Sequence, residues 1–153
     1  MESLASSVEA ARRPRAVRGM VRERVGIVRK CFHAWSTNRF ESLAHHIDRD
    51  VEIDWSASLA PYRGTYTGHA GWRQLFDEIR APFQEATAEA DSVVVQGQHI
   101  AVRHVARMRG RDGVEVVARG ALVFTFRGVK LIALRLYQHD GEAFAAIGSS
   151  SPC

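Results

Sequence analysis

The chain has 153 residues and a formal net charge of +4, enough length for one domain with a real core. Residues 1–30 carry eight basic and three acidic side chains, so the rest of the chain sits near −1 and the basicity belongs to an arm. That arm has no aromatic residue to stack on a base, which argues against nucleic acid as a partner.

Residues 1–15 are small, polar and basic, read here as a disordered arm, with one domain over 16–148 and a flexible tail over 149–153. The N-terminus has no apolar stretch of the secretory kind, and no apolar run is long enough for a membrane span. The expectation is a cytoplasmic protein with no membrane partner. Val21, Val25, Val28, Phe32 and Trp35 recur at spacings of three and four and predict a helix ending at Thr37-Asn38. Phe40, Leu43, Ala44 and Ile47 suggest a short second helix. Val51 to Trp55 alternates at period two and predicts a strand. A loop with Pro61, Gly64 and Gly68 leads to a third helix carrying Trp72, Leu75, Phe76 and Ile79, which Pro82 disrupts.

Four strands are then expected over 92–96, 100–108, 114–126 and 131–138, with a closing helical turn over 140–146. Helices first and a meander afterwards indicate an α+β domain. Cys31 falls in an apolar helical stretch and Cys153 at the chain end, which suits neither a disulfide nor a zinc motif. His45, His46, Asp48 and Asp50 are clustered, but adjacent histidines on a short helix converge poorly on a metal.

Three segments carry a resemblance. Tyr62-Arg63-Gly64-Thr65-Tyr66-Thr67-Gly68-His69 resembles a G-T-Y-x-G-H entry into a helix. Gly113-Val114-Glu115-Val116 followed by Arg119 resembles a G-V-E-V-x-x-R strand. Tyr137, Asp140, Glu142, Ala143, Phe144, Ala146 and Gly148 resemble a Y-x-D-x-x-E-A-L-x-A-A-G ending. Together with the element order they resemble the SnoaL-like branch of the nuclear transport factor 2-like superfamily, over about residues 20–148. The resemblance implies a cone: a curved antiparallel sheet wrapped by N-terminal helices around one apolar pocket. It implies dimers through the convex sheet face, where parity places Val105, Leu131, Ala133 and Tyr137 among Arg103, Arg107 and Arg135. It also spans isomerases, cyclases, dehydratases and proteins that only bind, so function rests on the site.

Within such a cone, strand parity sorts the side chains. Ile100, Val102, His104, Ala106 and Met108 share the apolar, inward face. Gly120, Leu122, Phe124 and Phe126 do so on the next strand, and Ile132, Leu134, Leu136 and Gln138 on the last. Val51, Ile53 and Trp55 point inward, leaving Asp54 outward unless a bulge turns it.

The resemblance to ketosteroid isomerases places their tyrosine position on Cys31, their base on Trp55 with Asp54 beside it, and their oxyanion acid on Leu122. The paired acids of related epoxide hydrolases fall on Leu136 and on or near His104. These isomerase and hydrolase roles are unfilled.

His104 is therefore the candidate acid/base, with Asp54 as a possible catalytic partner. Cys31, Trp35, Trp55, Trp72, Phe76, Leu122, Phe124, Leu136 and Gln138 are the expected pocket wall, with Tyr62 and Tyr66 at the mouth. The ligand expected is an apolar small molecule. The chemistry expected is cofactor-independent proton transfer (isomerisation, cyclisation or dehydration) or, alternatively, binding alone.

Overall fold

The computed structural model describes residues 15–60 and 63–148. The expectations for residues 1–14, for the tail and for Tyr62 lie outside the described residues.

Helix α1 (Arg15–Thr37) buries Ile27, Val28, Cys31 and Ala34, while Val25, Phe32 and Trp35 pack partly buried beside them. Its one buried charge, Arg24, donates from Nε to the Gly128 carbonyl at 2.6 Å, and its guanidinium lies 5.8 Å from the Phe126 ring centre. Burial lowers its pKa from the ordinary value. At the other end Asn38 adopts φ 55°, the left-handed geometry that stops a helix, and the Arg39 N–H closes on Ala34 O at 2.8 Å.

The short helix expected over 40–47 is instead two 3-10 turns, Phe40–Ser42 and Ala44–His46, and Ile47 already opens strand β1 (Ile47–Asp54). A further short strand, β2 (Thr65–Thr67), lies within what reads from sequence as loop. Helix α2 (Gly68–Arg80) follows, ending just before Pro82. Strand β3 (Phe83–Gln96) is much longer than the predicted 92–96. Strands β4 (His99–Gly110), β5 (Glu115–Arg127) and β6 (Lys130–Tyr137) complete the sheet, and helix α3 (Asp140–Ala146) ends the described chain. Gly97 and Gly128 both take φ 59° in tight hairpin turns that a β-carbon would strain.

The sheet order is β2-β1-β6-β5-β4-β3. It is mixed rather than purely antiparallel, because β1 runs parallel to β6, with Ile53 beside Leu134. A chain-distant parallel pairing leaves no local sequence mark, so the meander alone suggests antiparallel strands throughout. The result is an α+β cone, in which α1 and α2 cover the concave face. There the main core gathers Val51, Ile53, Ile100, Phe124, Phe126 and Leu134, each 2 % exposed or less.

The β5–β6 register slips between Thr125 and Phe126: Thr125 faces Ala133 and Phe126 faces Leu131. Ile132 is the extra residue, so parity reverses below it. Leu131, expected on the convex face, is fully buried in the core, and Ile132 loses its expected inward place in the ladder. The convex face has its own small core. Ala143, Phe144 and Ile147, from α3 and just beyond it, cover Ala101, Ala121 and Val123.

Candidate functional site

The concave face does not close on itself. Between sheet and helices lies a cavity of about 370 Å³, within the range of roughly 300–1,000 Å³ usual for small-molecule sites. Its floor comes from an alternation of small side chains. Ala88, Ala106 and Ala118 sit in register across β3, β4 and β5, and all three face the cavity. In the neighbouring row Ala90, His104 and Gly120 are aligned. A β-carbon on Gly120 would come within 3.3 Å of His104 Cε1 and 3.0 Å of the Tyr137 carbonyl, so the imidazole lies against bare backbone.

The walls are aromatic. Trp35 and Phe32 descend from α1, and Trp72 and Phe76 from α2. Trp72 and Phe76 meet edge-to-face at 5.0 Å, and Phe76 meets Trp55 at 6.2 Å and 80°. Phe32 stands 6.2 Å from His104 and 6.3 Å from Phe124. Cys31, Leu122, Leu134 and Leu136 fill the deeper wall. Gln138 closes one end and donates from Nε2 to Ala57 O at 2.7 Å, tying the segment after β1 to the end of β6. That segment adds Ser58, Leu59 and Ala60 to the lining, with Leu59 85 % exposed.

Among the described residues, two lining side chains carry a buried ring nitrogen with no hydrogen-bond partner, His104 at Nδ1 and Trp35 at Nε1. Burial lowers the His104 pKa to about 4, against a weaker opposing pull from Asp91. The ring is therefore neutral at physiological pH. Burial pushes the Cys31 thiol up to about 12, which leaves it an inert apolar filler rather than a nucleophile.

Thus ten of the residues singled out from sequence line one cavity: His104, Cys31, the three tryptophans, Phe76, Leu122, Phe124, Leu136 and Gln138. Two others do not. Asp54 obeys strand parity and points to the convex side, accepting from Ser56 Oγ at 2.5 Å and lying 3.5 Å from Arg135 Nε. The Ser56 hydroxyl bond, above all, holds its pKa low, with Arg135 assisting. It cannot serve His104 from the opposite face. Tyr66 is drawn into β2, beside Ile53, and donates from its hydroxyl to Glu78 at 3.1 Å rather than reaching the cavity mouth. Burial, then Glu78, raises its pKa.

Sequence reasoning placed Ala106 inward but left out Phe32, Ala88, Ala118 and the 58–60 segment as cavity lining. Phe32 carried a signal, its place on the helical stripe. Alanines between charged residues on β3 carried none.

A helix-wrapped, open, curved mixed sheet with one apolar cavity on its concave side defines a protein of the nuclear transport factor 2-like class. The SnoaL-like domain model matches residues 28–134, and the chain belongs to that family. Among solved structures, a nuclear transport factor 2-like protein of unknown function from Burkholderia pseudomallei is similar at 17% identity and TM-score 0.67, covering 83% of this chain and 98% of its own. TerC, co-crystallised with polyporic acid, gives 16% identity and TM-score 0.67 over 82% and 97%. SalBIII, an epoxide hydrolase/cyclase-like enzyme with a role in pyran ring formation in the polyether salinomycin, gives 19% identity and TM-score 0.62 over 76% and 90%. These likenesses carry the fold. No curated protein matches the chain. No helix among the described residues is long and apolar enough to cross a membrane.

Proposed function

We propose that this chain binds a largely apolar small molecule in the concave cavity and moves a proton on it with His104. The observation that supports this most is that His104 lines the cavity while its Nδ1 is buried without a partner. A buried imidazole nitrogen left without a partner is costly, and a ligand atom would relieve it.

The chemistry follows from the ring's state. A neutral imidazole offers a lone pair that can take a proton from an acidified carbon or a hydroxyl. With its pKa lowered by burial to about 4, the imidazolium formed gives its proton up more readily than an ordinary one. No carboxylate lines the cavity among the described residues to hold that charge. The proton would return promptly to another position on the same ligand. One group doing both jobs suits isomerisation, cyclisation or dehydration, and the packed aromatic walls would hold the reacting conformer. Similarity to SalBIII, an epoxide hydrolase/cyclase-like enzyme, agrees with this class of role, and TerC co-crystallised with polyporic acid agrees with small-molecule binding.

The alternative is binding without turnover, favoured by the absence, among the described residues, of a carboxylate on the lining to pair with His104. Native mass spectrometry of the full chain after exposure to a metabolite extract would identify the retained molecule. That molecule, incubated with wild type, His104→Gln and His104→Ala, separates the readings. Catalysis expects both variants to lose about 100-fold or more in rate. Binding alone expects no conversion by wild type and affinity largely kept by His104→Gln. Conversion at an unchanged rate by both variants would remove His104 from the site.

The convex face, with Val105 and Ala133 among arginines and Tyr137 at the edge of the patch that α3 covers, is proposed as a homodimer surface. Sedimentation of a monomer at micromolar concentration would dismiss it.

A further inference from the structure

We infer that the exposed edge of β5 over residues 115–119 joins a second copy of this chain, the two strands running antiparallel about a twofold axis at Val117. This surface is an edge of the sheet, separate from the face-on contact proposed above, and it does not depend on the ligand reading.

The edge is open because the neighbours of β5 differ in length. On one side β4 pairs with it from Glu115 to Thr125 without a slip. On the other side β6 joins only at Ala121, opposite Tyr137. Among the described residues no strand lies against that side of 115–119, and all five residues are exposed. The hairpin fixes which backbone groups face outward. Gly110 donates its N–H to Val114 O at 2.9 Å, so the backbone at Val114 points toward β4. Hydrogen-bonding direction alternates along an antiparallel strand. Val116 and Ala118 therefore point theirs to β4, and Glu115, Val117 and Arg119 present N–H and C=O to the open side.

Unpaired edges invite pairing, and proteins usually blunt them with Pro, Lys, bulges or brevity. Strand β3 carries Glu85, Glu89, Asp91 and two register slips, and β2 is three residues long. The 115–119 edge has no Pro, no Lys and no slip. Its two valines, Val116 and Val117, are 40 % and 47 % exposed, and β-branched residues favour pairing into a sheet.

The segment is complementary to itself, which makes the occupant a second copy. With Val117 opposite Val117 at the axis, Glu115 of each copy faces Arg119 of the other, and Val116 faces Ala118. Within one copy neither Glu115 nor Arg119 has an ion-pair partner among the described residues. Other registers lose this match. Sliding by two residues sets Val117 against Glu115 or Arg119, and sliding by four sets Glu115 against Glu115 or Arg119 against Arg119. Opposite charges directly across a strand pair stabilise it, and like charges do the reverse. A twofold contact of this kind closes at two copies. Ala118 and Arg119 also line the cavity, so the pairing brings the second copy to its rim.

Sedimentation of the full chain with charge reversals tests the interface. Wild type is expected to associate at micromolar concentration. Glu115→Arg and Arg119→Glu each set like charges opposite one another on both sides of the axis. Each alone is expected to weaken association about tenfold or more, halving the mass of the assembly. Mixed in equal amounts, the two variants present opposite charges to each other again, and association is expected to return to the wild-type level. Val117→Pro removes the central outward N–H without taking a bond from the β4 ladder, and it should also split the assembly.

A wild-type monomer up to high micromolar concentration overturns the inference. Single reversals that associate as wild type does overturn it too, and leave the convex face as the surface of assembly. Weakened single variants that the mixture fails to rescue overturn the antiparallel register and the inference with it. The mixing experiment decides even if Val117→Pro fails to fold.

Discussion

The two faces of one sheet solve opposite problems with adjacent residues. On β4, Arg103 faces the convex side and is held twice, by Asp91 at 2.7 Å and Asp140 at 3.5 Å. His104, the next residue, faces the concave side, and its buried Nδ1 has no partner. On the convex face a short helix covers one apolar patch, and exposed ion pairs such as Glu85 with Arg109 lie beside it. The concave face keeps a hollow with polar atoms unsatisfied. Stability is concentrated where groups are paired or packed, and binding capacity where they are not. Buried polar groups are paired almost everywhere in proteins, so the exception marks the site.

The largest expected effect tests the sealed side. Phe144 is fully buried between α3 and the convex face. Phe144→Ala should cost about 3–5 kcal/mol in denaturant unfolding, while a ligand of the concave cavity binds nearly as before to the folded fraction. Loss of ligand affinity at native conditions, with stability kept, would break the separation of faces.

The next effect is pH dependence from His104. Its pKa is about 4 in the folded chain against 6.5 for the ordinary group. Between these values the unfolded chain binds a proton that the folded chain refuses. The contribution is therefore absent above about 6.5, and stability falls as pH drops from there to about 4, below which no further loss comes from this group. The change is roughly 3 kcal/mol. The difference in stability between wild type and His104→Gln should track that window. Parallel pH profiles for the two proteins would show that the ring is not desolvated.

Gly120→Ala sharpens the comparison at one position. The new methyl meets the Tyr137 carbonyl at 3.0 Å and the imidazole at 3.3 Å. Forcing it in should cost about 1–3 kcal/mol, as overpacking usually does. It should also shift the His104 ring resonances in an NMR spectrum. A stable variant with an unmoved imidazole would show that the floor has slack.

The smallest effect is Arg103→Met. Both of its ion pairs are partly solvent-exposed, and such pairs contribute little. Thermal unfolding should barely change. A large loss would mean that the convex ladder bears weight now assigned to α3.

The sequence made β4 legible because hydrophobic residues alternate there with arginines, and the alternation put His104 on the correct face. Asp54 followed the same rule. Strand β3 was half hidden: Phe83 to Asp91 alternates alanine with glutamate and threonine, a composition as suited to a helix as to a strand. Parity also failed at Ile132, where a single extra residue exchanges the faces of its neighbours. The missing partners of His104 and Trp35 were beyond reach, since an unmet hydrogen bond is a property of three-dimensional surroundings and not of the residue.

The parallel pairing of β1 with β6 has a consequence for synthesis. On the ribosome the early strand emerges long before the one that must lie beside it, so Ile53 waits for Leu134 with only the following β2 and α2 beside its strand. Such distant contacts delay folding and prolong exposure of sticky segments. A nascent chain stalled before Lys130 would carry an unmated strand edge in the middle of the future sheet, a place where two unfinished copies could join. Strand β6, near the end of the described chain, thus commits the whole sheet, and slow translation across β5 would leave that edge open to aggregation.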